Sequence, residues 1–295
     1  MSDPDAQWRA MPVPGRFSLS QTCGPVAWVG QRSPRHVWDA GRLTWVGWEG
    51  DRVAWRTACQ PRAGSIDITG TAAQQGDAEW GSTVLGLEIA LPAFDDPVIV
   101  ALANRFPGLH PYCDGSLFDG IVTAIVGQSI SLASAAMTQG RLAALFAEPV
   151  VLHAHAFHPL PTAAHLAESS IELIRTSGVT WKRAEGIRNA AREMVAGRLP
   201  SDADARNDPE EAVRALVTLP LVGRWTAESA VLWGIGAPDA HPTGDVALLR
   251  AARRAYERPE MTLKELDRLA EGWRPGRGLA ARLLWTDLFG PAPTG

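Results

Sequence analysis

The first third of the chain alternates apolar and polar residues in short runs, which is typical of half-buried strands. Between Phe17 and about Leu91, the runs "LTWVGW" (43–48) and "RVAWRTA" (52–58) flank the turn "EGD". They are followed by "SIDITG" (65–70) and "TVLGLEIAL" (83–91), with glycines between the runs. This pattern predicts a small antiparallel sheet.

From Pro97 onward the apolar residues recur at helical spacing, and Pro or Gly interrupts the pattern at intervals. Asp95 or Asp96 can cap the first helix, with Pro97 in its first turn. The predicted helices are 97–106, 116–127, 131–147, 181–196, 208–218, 225–234, 245–256, 262–271 and 277–289.

Length and composition favour a soluble protein with a sizeable core. The 295 residues are 46% apolar and 20% charged, with a formal net charge of -4. We expect an α+β protein with a β-rich domain over 1–92 and a larger, two-lobed helical domain over 93–295. The uncharged stretch 120–140 is too polar for a membrane span, and three scattered cysteines indicate no disulfide framework. These features predict a cytoplasmic protein.

The segment "LPLVGRWTA" (219–227) ends one predicted helix and starts the next after a very short turn. Pro220 stops the first helix, and we expect Gly223 to relieve the steric limits of the turn. The free N–H groups at the start of the second helix can bind one phosphate. Taken alone, the turn is more typical of a hairpin that uses Pro and Gly only for packing.

Asp245 stands directly before the predicted helix 245–256, in "HPTGDVALLR". That position is typical of a helix N-cap, and the spacing alone favours this structural interpretation.

Four motifs, in order, resemble those of the helix-hairpin-helix DNA glycosylases. They are "DGSLFDGIVTAIVGQSISLASAA" (114–136), "LPLVGRWTAESAVLW" (219–233), "HPTGDVALLR" (241–250) and "GWRPGRGLAARLLW" (272–285). The similarity is greatest to 3-methyladenine DNA glycosylase II, the alkylated-base branch. It covers roughly residues 90–290 and, more weakly, the strand-rich part.

The resemblance implies a role for each matching position. Asp245 corresponds to the catalytic aspartate, and Trp225 and Trp273 correspond to aromatic residues that line the pocket for an extruded base. The implied DNA-binding positions are Gln128, Ser129, Leu221, Val222, Gly223 and Thr226. The family's hairpin often holds a monovalent cation on backbone carbonyls, here those of Val217, Leu219 and Val222; no other cofactor is implied.

The chain departs from the family pattern at several positions. Leu221 replaces the first Gly of the hairpin turn, and Ser129 stands where the branch can place a large apolar wedge. Ser229 and Val246 stand where the branch can have tyrosines. These changes predict weaker DNA binding and a less aromatic pocket.

A lyase would need an amine in the hairpin, and the family's lysine position holds Trp225. The chain contains only Lys182 and Lys264, neither of them in the hairpin. The resemblance therefore implies a monofunctional, monomeric glycosylase that removes alkylated bases from double-stranded DNA by base flipping. The alternatives are a glycosylase for another lesion and a non-catalytic DNA-binding protein.

Four histidines in "LHAHAFHPLPTAAH" invite comparison with a metal site: His153, His155, His158 and His165. No cysteine or carboxylate joins them at ligand spacing, so a solvated Pro-rich connection is the preferred interpretation.

Overall fold

The computed structural model describes residues 7–71, 76–152 and 155–294. It confirms the predicted α+β fold, with an N-terminal antiparallel sheet followed by many helices. The five strands lie in the order β1-β5-β4-β3-β2, and every neighbouring pair is antiparallel. They are β1 Arg9–Pro12, β2 His36–Asp39, β3 Arg42–Glu49, β4 Arg52–Arg62 and β5 Ser65–Gly70.

Fifteen α-helices and two short 3-10 helices, Gly30–Arg32 and Glu271–Trp273, are present in the described part of the chain. Before and beside the sheet lie α1 Leu19–Thr22, α2 Gly24–Val29 and α3 Asp77–Leu85. The next are α4 Pro97–Arg105, α5 Leu117–Gly127, α6 Leu132–Ala143, α7 Ala163–Glu168, α8 Ile171–Arg175 and α9 Trp181–Val195. The last are α10 Asp202–Asn207, α11 Pro209–Leu216, α12 Arg224–Ile235, α13 Val246–Ala255, α14 Leu263–Ala270 and α15 Arg277–Phe289. None of these described helices is long and apolar enough to cross a membrane.

Several parts of the sequence fold differently from the prediction. The helices α1 and α2 lie in the region predicted to be strand-rich, and α7, α8 and α10 lie outside the predicted helices. The segment 83–91 is not a strand, because Trp80 and Val84 form the buried face of α3 and Gly86, at φ +60°, ends that helix. The connection 148–165 contains a short hairpin of β6 Val150–Leu152 and β7 His155–Phe157.

The histidines of this connection have separate contacts. The side chain of His165 belongs to the capping box of α7, and His158 Nδ1 lies 2.9 Å from the Ala147 carbonyl oxygen. His153, the first of the four histidines, lies outside the described residues.

Residues that flank the helices pack against the sheet. The apolar cluster on the sheet includes Tyr112, which precedes α5, and Ala292, which follows α15. The C-terminal segment is held there by Trp28, whose indole N–H donates to the Gly290 carbonyl at 2.7 Å. A second contact joins Trp38 to the Pro293 carbonyl at 2.8 Å. The end of the chain therefore packs against its beginning.

Two glycines let α5 and α12 pack closely, and this packing places the hairpin. A Cβ atom at Gly120 would lie 2.3 Å from the Ala230 carbonyl oxygen, and one at Gly234 would lie 2.6 Å from the Ser116 carbonyl oxygen. A larger residue at either position would push the helices apart. The close contact fixes the C-terminal end of α5 beside the N-terminal end of α12.

A buried arginine links the segment before β2 to the start of α5. Arg35 donates to the Asp114 carbonyl at 2.7 Å and to Asp119 Oδ2 at 3.2 Å, and it also contacts the Asp114 carboxylate. Burial raises the pKa of Asp119 to about 7, although Arg35 acts in the opposite direction; Asp114 and Asp202 raise the pKa further. The ionised form of Asp119 is thus disfavoured in the folded state.

This shift predicts how stability depends on pH. Between pH 4 and pH 7 the folded protein keeps a proton on Asp119 that the unfolded chain releases, so the contribution of Asp119 to stability falls as pH rises through this range. Asp119→Asn should remove that decline. Urea unfolding of both proteins at pH 4, 5.5, 7 and 8 measures it. Parallel stability curves for the two proteins would contradict the assignment.

Candidate functional site

The predicted hairpin is formed by α11, the turn 217–223 and α12. The N–H of Leu219 donates to the Leu216 carbonyl at 3.0 Å, and that of Val222 donates to the Leu219 carbonyl at 3.2 Å. The turn therefore reverses the chain within a few residues. Because Leu219 and Val222 are buried, the turn is anchored in the helical core.

The residue that adopts the unusual conformation in this turn is Leu221, not Gly223. Leu221 has φ +68°, which is the left-handed region that favours glycine. Gly223 has φ -79° and ψ 175°, an extended conformation open to any residue. Our expectation that Gly223 relieves the turn was therefore wrong, since the steric demand falls two residues earlier.

The side chain of Leu221 is held against α9. A Cβ atom at Gly186 would lie 3.1 Å from Leu221 Cδ1, so the two residues are in direct contact. Leu221 is 41% exposed to solvent. The apolar contact with Gly186 removes part of the Leu221 side chain from water, and the free energy gained offsets part of the backbone strain at Leu221.

The N-terminus of α12 is open to a ligand. Its N-cap is Gly223, and no side chain caps the first turn. A Cβ atom at Gly223 would meet no heavy atom within 4 Å, so the space in front of the helix is free. The first N–H groups of a helix have no partner inside the helix and attract anions. The arrangement can hold one phosphate on the backbone of residues 223–226.

Gln128, at the end of α5, is bonded to the hairpin. Its side-chain NH₂ donates to the Leu221 carbonyl and to the Thr226 hydroxyl, both at 3.0 Å. Arg183 of α9 donates to the Gln128 carbonyl. The neighbouring Ser129 is exposed and has φ +57°. The structure thus brings Gln128 into contact with Leu221 and Thr226, with Ser129 next in the chain, while the contacts of these residues with DNA stay a prediction.

Each oxygen of the Asp245 carboxylate accepts one hydrogen bond. Oδ1 accepts the Leu248 N–H at 2.7 Å, which confirms that Asp245 caps α13. Oδ2 accepts the indole N–H of Trp225 at 3.0 Å. Asp245 is half-buried, so the cap fixes its position while part of its surface stays open. The capping role is compatible with a chemical role for the same carboxylate.

The loop before Asp245 is fixed to the helices on either side by residues that the sequence reasoning did not single out. Glu228 of α12 accepts the Thr243 N–H at 2.8 Å, and His241 Nε2 lies 2.9 Å from Asp267 of α14. In the sequence, Glu228 could have been noticed as the one carboxylate inside the run of small and apolar residues "TAESAVLW".

Trp273 lies in the core, with no exposed surface. Its indole N–H donates to the Tyr256 hydroxyl at 3.1 Å, and the two rings stack at 24°. Burial, together with the hydrogen bond to Asp96, raises the pKa of Tyr256. The predicted contact of Trp273 with a base therefore needs a movement of neighbouring groups.

The other predicted positions differ in exposure. Ser229 is buried, whereas Val246 is 72% exposed next to Asp245. Of the carbonyls predicted to bind a cation, that of Leu219 accepts the Val222 N–H and has a second lone pair for a ligand. The cation itself stays a prediction, with Val217, Leu219 and Val222 as its neutral oxygen donors.

Comparison with known proteins finds relatives that are similar in sequence or in fold. No family model matches the chain. The chain is 33% identical to DNA-3-methyladenine glycosylase 2 of Escherichia coli over 180 residues, 61% of this chain and 60% of that protein. It is 30% identical to the probable bifunctional transcriptional activator/DNA repair enzyme AlkA of Mycobacterium tuberculosis over 200 residues, 66% of this chain and 38% of that protein.

Over the matched residues, the chain is thus similar in sequence to a DNA-3-methyladenine glycosylase and to a probable DNA repair enzyme. The fold also resembles that of a 3-methyladenine DNA glycosylase from Archaeoglobus fulgidus, with a TM-score of 0.78 and 20% identity over 95% of this chain and 98% of that one. The chain spans less than two thirds of the two curated relatives described above.

Leu221 provides a direct stability test of the hairpin turn. Leu221→Gly and Leu221→Ala both remove the contact with Gly186, but only glycine adopts φ +68° without strain. The Gly variant should therefore be more stable than the Ala variant by about 1 kcal/mol. Urea unfolding measures the difference. An Ala variant as stable as the Gly variant would show that residue 221 does not need the left-handed conformation.

Proposed function

We propose that the protein is a monofunctional DNA glycosylase that hydrolyses the bond between an alkylated base and deoxyribose. The observation that carries the proposal is the position of Asp245: its carboxylate is bonded to Trp225, in the first turn of the uncapped helix α12. A group suited to bind phosphate, at the start of α12, and a group suited to stabilise positive charge, at the start of α13, thus lie side by side. The similar proteins of Escherichia coli and Archaeoglobus fulgidus are named 3-methyladenine DNA glycosylases, which supports the substrate class.

DNA binding would begin at the hairpin. The backbone N–H groups of residues 223–226 would donate to one phosphate, and the exposed side chain of Arg224 would add positive charge beside them. Such contacts fix the register of the duplex without reading its sequence. They would bring the deoxyribose of a nearby nucleotide toward Asp245.

The chemical step would replace the base by water at C1′ of the sugar. As the bond from C1′ to the base nitrogen breaks, the electron pair leaves with the base and positive charge develops on the sugar. The Asp245 carboxylate would stabilise that charge, because its orientation is already fixed by Leu248 and Trp225. Water then bonds to C1′ and releases a proton. A cationic alkylated base leaves as a neutral molecule and needs no protonation.

Access to the base would require that it leave the duplex, because the reacting bond of a stacked nucleotide is out of reach. The loop 128–131 lies beside the hairpin and presents the exposed Ser129 and Ile130 toward solvent. Aromatic faces attract a cationic base by cation–π contact, and Trp225 is the half-buried indole next to Asp245.

The Asp245→Asn variant separates the capping role from the chemical role. Asn caps helices well, and its one acceptor oxygen can keep the Leu248 N–H while the Trp225 contact is lost, so the loss of stability should be modest, about 1 kcal/mol. Removal of the charge should slow single-turnover excision of a methylated purine by about 100-fold or more, because the developing positive charge loses its stabilisation. Affinity for the DNA should persist, since phosphate contacts dominate it. Near-normal excision by a stable Asn variant would contradict the catalytic assignment.

Strand cleavage through a covalent intermediate should be absent. Trp225 has no amine, and Lys182 and Lys264 are the only lysines of the chain. Borohydride added during a reaction with lesion-containing DNA should therefore trap no protein–DNA adduct, as judged on a denaturing gel. An adduct that disappears on Lys182→Arg or Lys264→Arg would overturn the monofunctional assignment.

A further inference from the structure

Glu228 is a buried carboxylate in the middle of α12, one helical turn after Arg224. The residue is only 4% exposed, and both of its oxygens have partners. Oε1 accepts from Arg224 Nε at 2.8 Å, and Oε2 accepts the backbone N–H of Thr243 at 2.8 Å. The side chain therefore joins the hairpin helix to the loop that leads to Asp245.

Stability alone does not account for a carboxylate at this position. The neighbouring residues Ala227, Ala230 and Val231 are fully buried and apolar. Burying a carboxylate among them is costly, and an apolar residue of similar volume would pack there without that cost. The Arg224 side chain is 69% exposed, so solvent screens much of the ion pair. The buried contact that remains is the hydrogen bond to Thr243.

The hydrogen bond from Thr243 to Glu228 holds the backbone of the loop that leads to Asp245. Thr243 is two residues before Asp245, and Gly244 between them has φ +84°, a conformation that glycine adopts without strain. The Asp245 N–H also donates to the Pro242 carbonyl at 3.1 Å. The direction of the Asp245 side chain thus depends on where the backbone at Thr243 is held. His241, bonded to Asp267, fixes the loop on its other side.

We propose that Glu228 is a positioning residue for Asp245. It holds the loop at Thr243 so that the Asp245 carboxylate meets the indole N–H of Trp225, which lies one position after Arg224 and three positions before Glu228 in the same helix. The hairpin helix therefore holds Asp245 twice, directly through Trp225 and indirectly through Glu228. The catalytic consequence rests on the proposed function, whereas the structural link between Glu228 and Asp245 does not.

The structural link is tested by NMR without DNA. The indole N–H resonance of Trp225, identified by its loss in Trp225→Phe, reports the hydrogen bond to Asp245. The Asp245→Ala variant gives the chemical shift of this resonance when the hydrogen bond is absent. Glu228→Met fills the volume but offers no acceptor to Thr243, and it should shift the resonance toward that position. Glu228→Gln keeps an acceptor oxygen, and it should leave the resonance near its native position.

The same matched pair is then compared in catalysis. Single-turnover excision of a methylated purine by fully bound enzyme should slow by about tenfold or more in Glu228→Met, since small displacements of a reacting group have large effects on rate. Glu228→Gln should stay within about threefold of the native rate, as expected when one acceptor restores the position. DNA affinity should be similar in both variants.

Several outcomes would overturn the inference. They are an unmoved Trp225 resonance in folded Glu228→Met, equal shifts in the Met and Gln variants, and a shifted resonance with an unchanged excision rate. If Glu228→Met does not fold, Glu228→Asp replaces it, because the shorter side chain cannot reach Arg224 and Thr243 together. If the native protein releases no base, the proposed function fails, while the NMR comparison still decides whether Glu228 positions Asp245.

Discussion

The hydrogen bond between the Trp225 indole and Asp245 is the interaction on which the site depends. It connects the first turn of α12 to the first turn of α13, and the second oxygen of the same carboxylate caps α13. A carboxylate with both oxygens engaged has little rotational freedom, so its charge has a fixed place. In this geometry a helix cap and a preorganised electrostatic group are the same side chain.

The surrounding packing keeps that interaction in place. The close contact of Gly120 and Gly234 with the facing helix sets the distance between α5 and α12. It also brings Gln128 within reach of the Leu221 carbonyl. The hairpin turn is thus held from the α5 side by Gln128 and from the α9 side by the contact of Leu221 with Gly186. A rigid support of this kind is what a reaction that depends on fixed charge requires.

Much of the fold could be predicted from the sequence because long elements carry a clear pattern. The helices α9 and α13 follow the spacing of their apolar residues, and Asp245 was recognisable as a cap from its place before α13. The short helices α7, α8 and α10 were missed, since five or six residues contain fewer than two turns of a helical pattern.

The candidate site was predictable in its members but not in its geometry. The resemblance named Asp245 and Trp225, yet no local pattern shows that their side chains meet. The same holds for Leu221, where only the backbone angle shows which residue of the turn carries the strain. Glu228 was missed because a charged residue in a helix usually faces solvent, and its burial depends on contacts distant in sequence.

The central claim is that this hairpin and its carboxylate release a base from DNA, and the most direct measurement is the product itself. The purified protein would be incubated with duplex DNA treated with a methylating agent, and with duplexes that contain single oxidised or deaminated bases. Mass spectrometry would identify free bases, and a probe for abasic sites would count the sugars left behind. The account predicts methylated purines in solution with an equal number of abasic sites and intact strands. Tight binding to methylated DNA with no released base, or release of oxidised or deaminated bases alone, would contradict it.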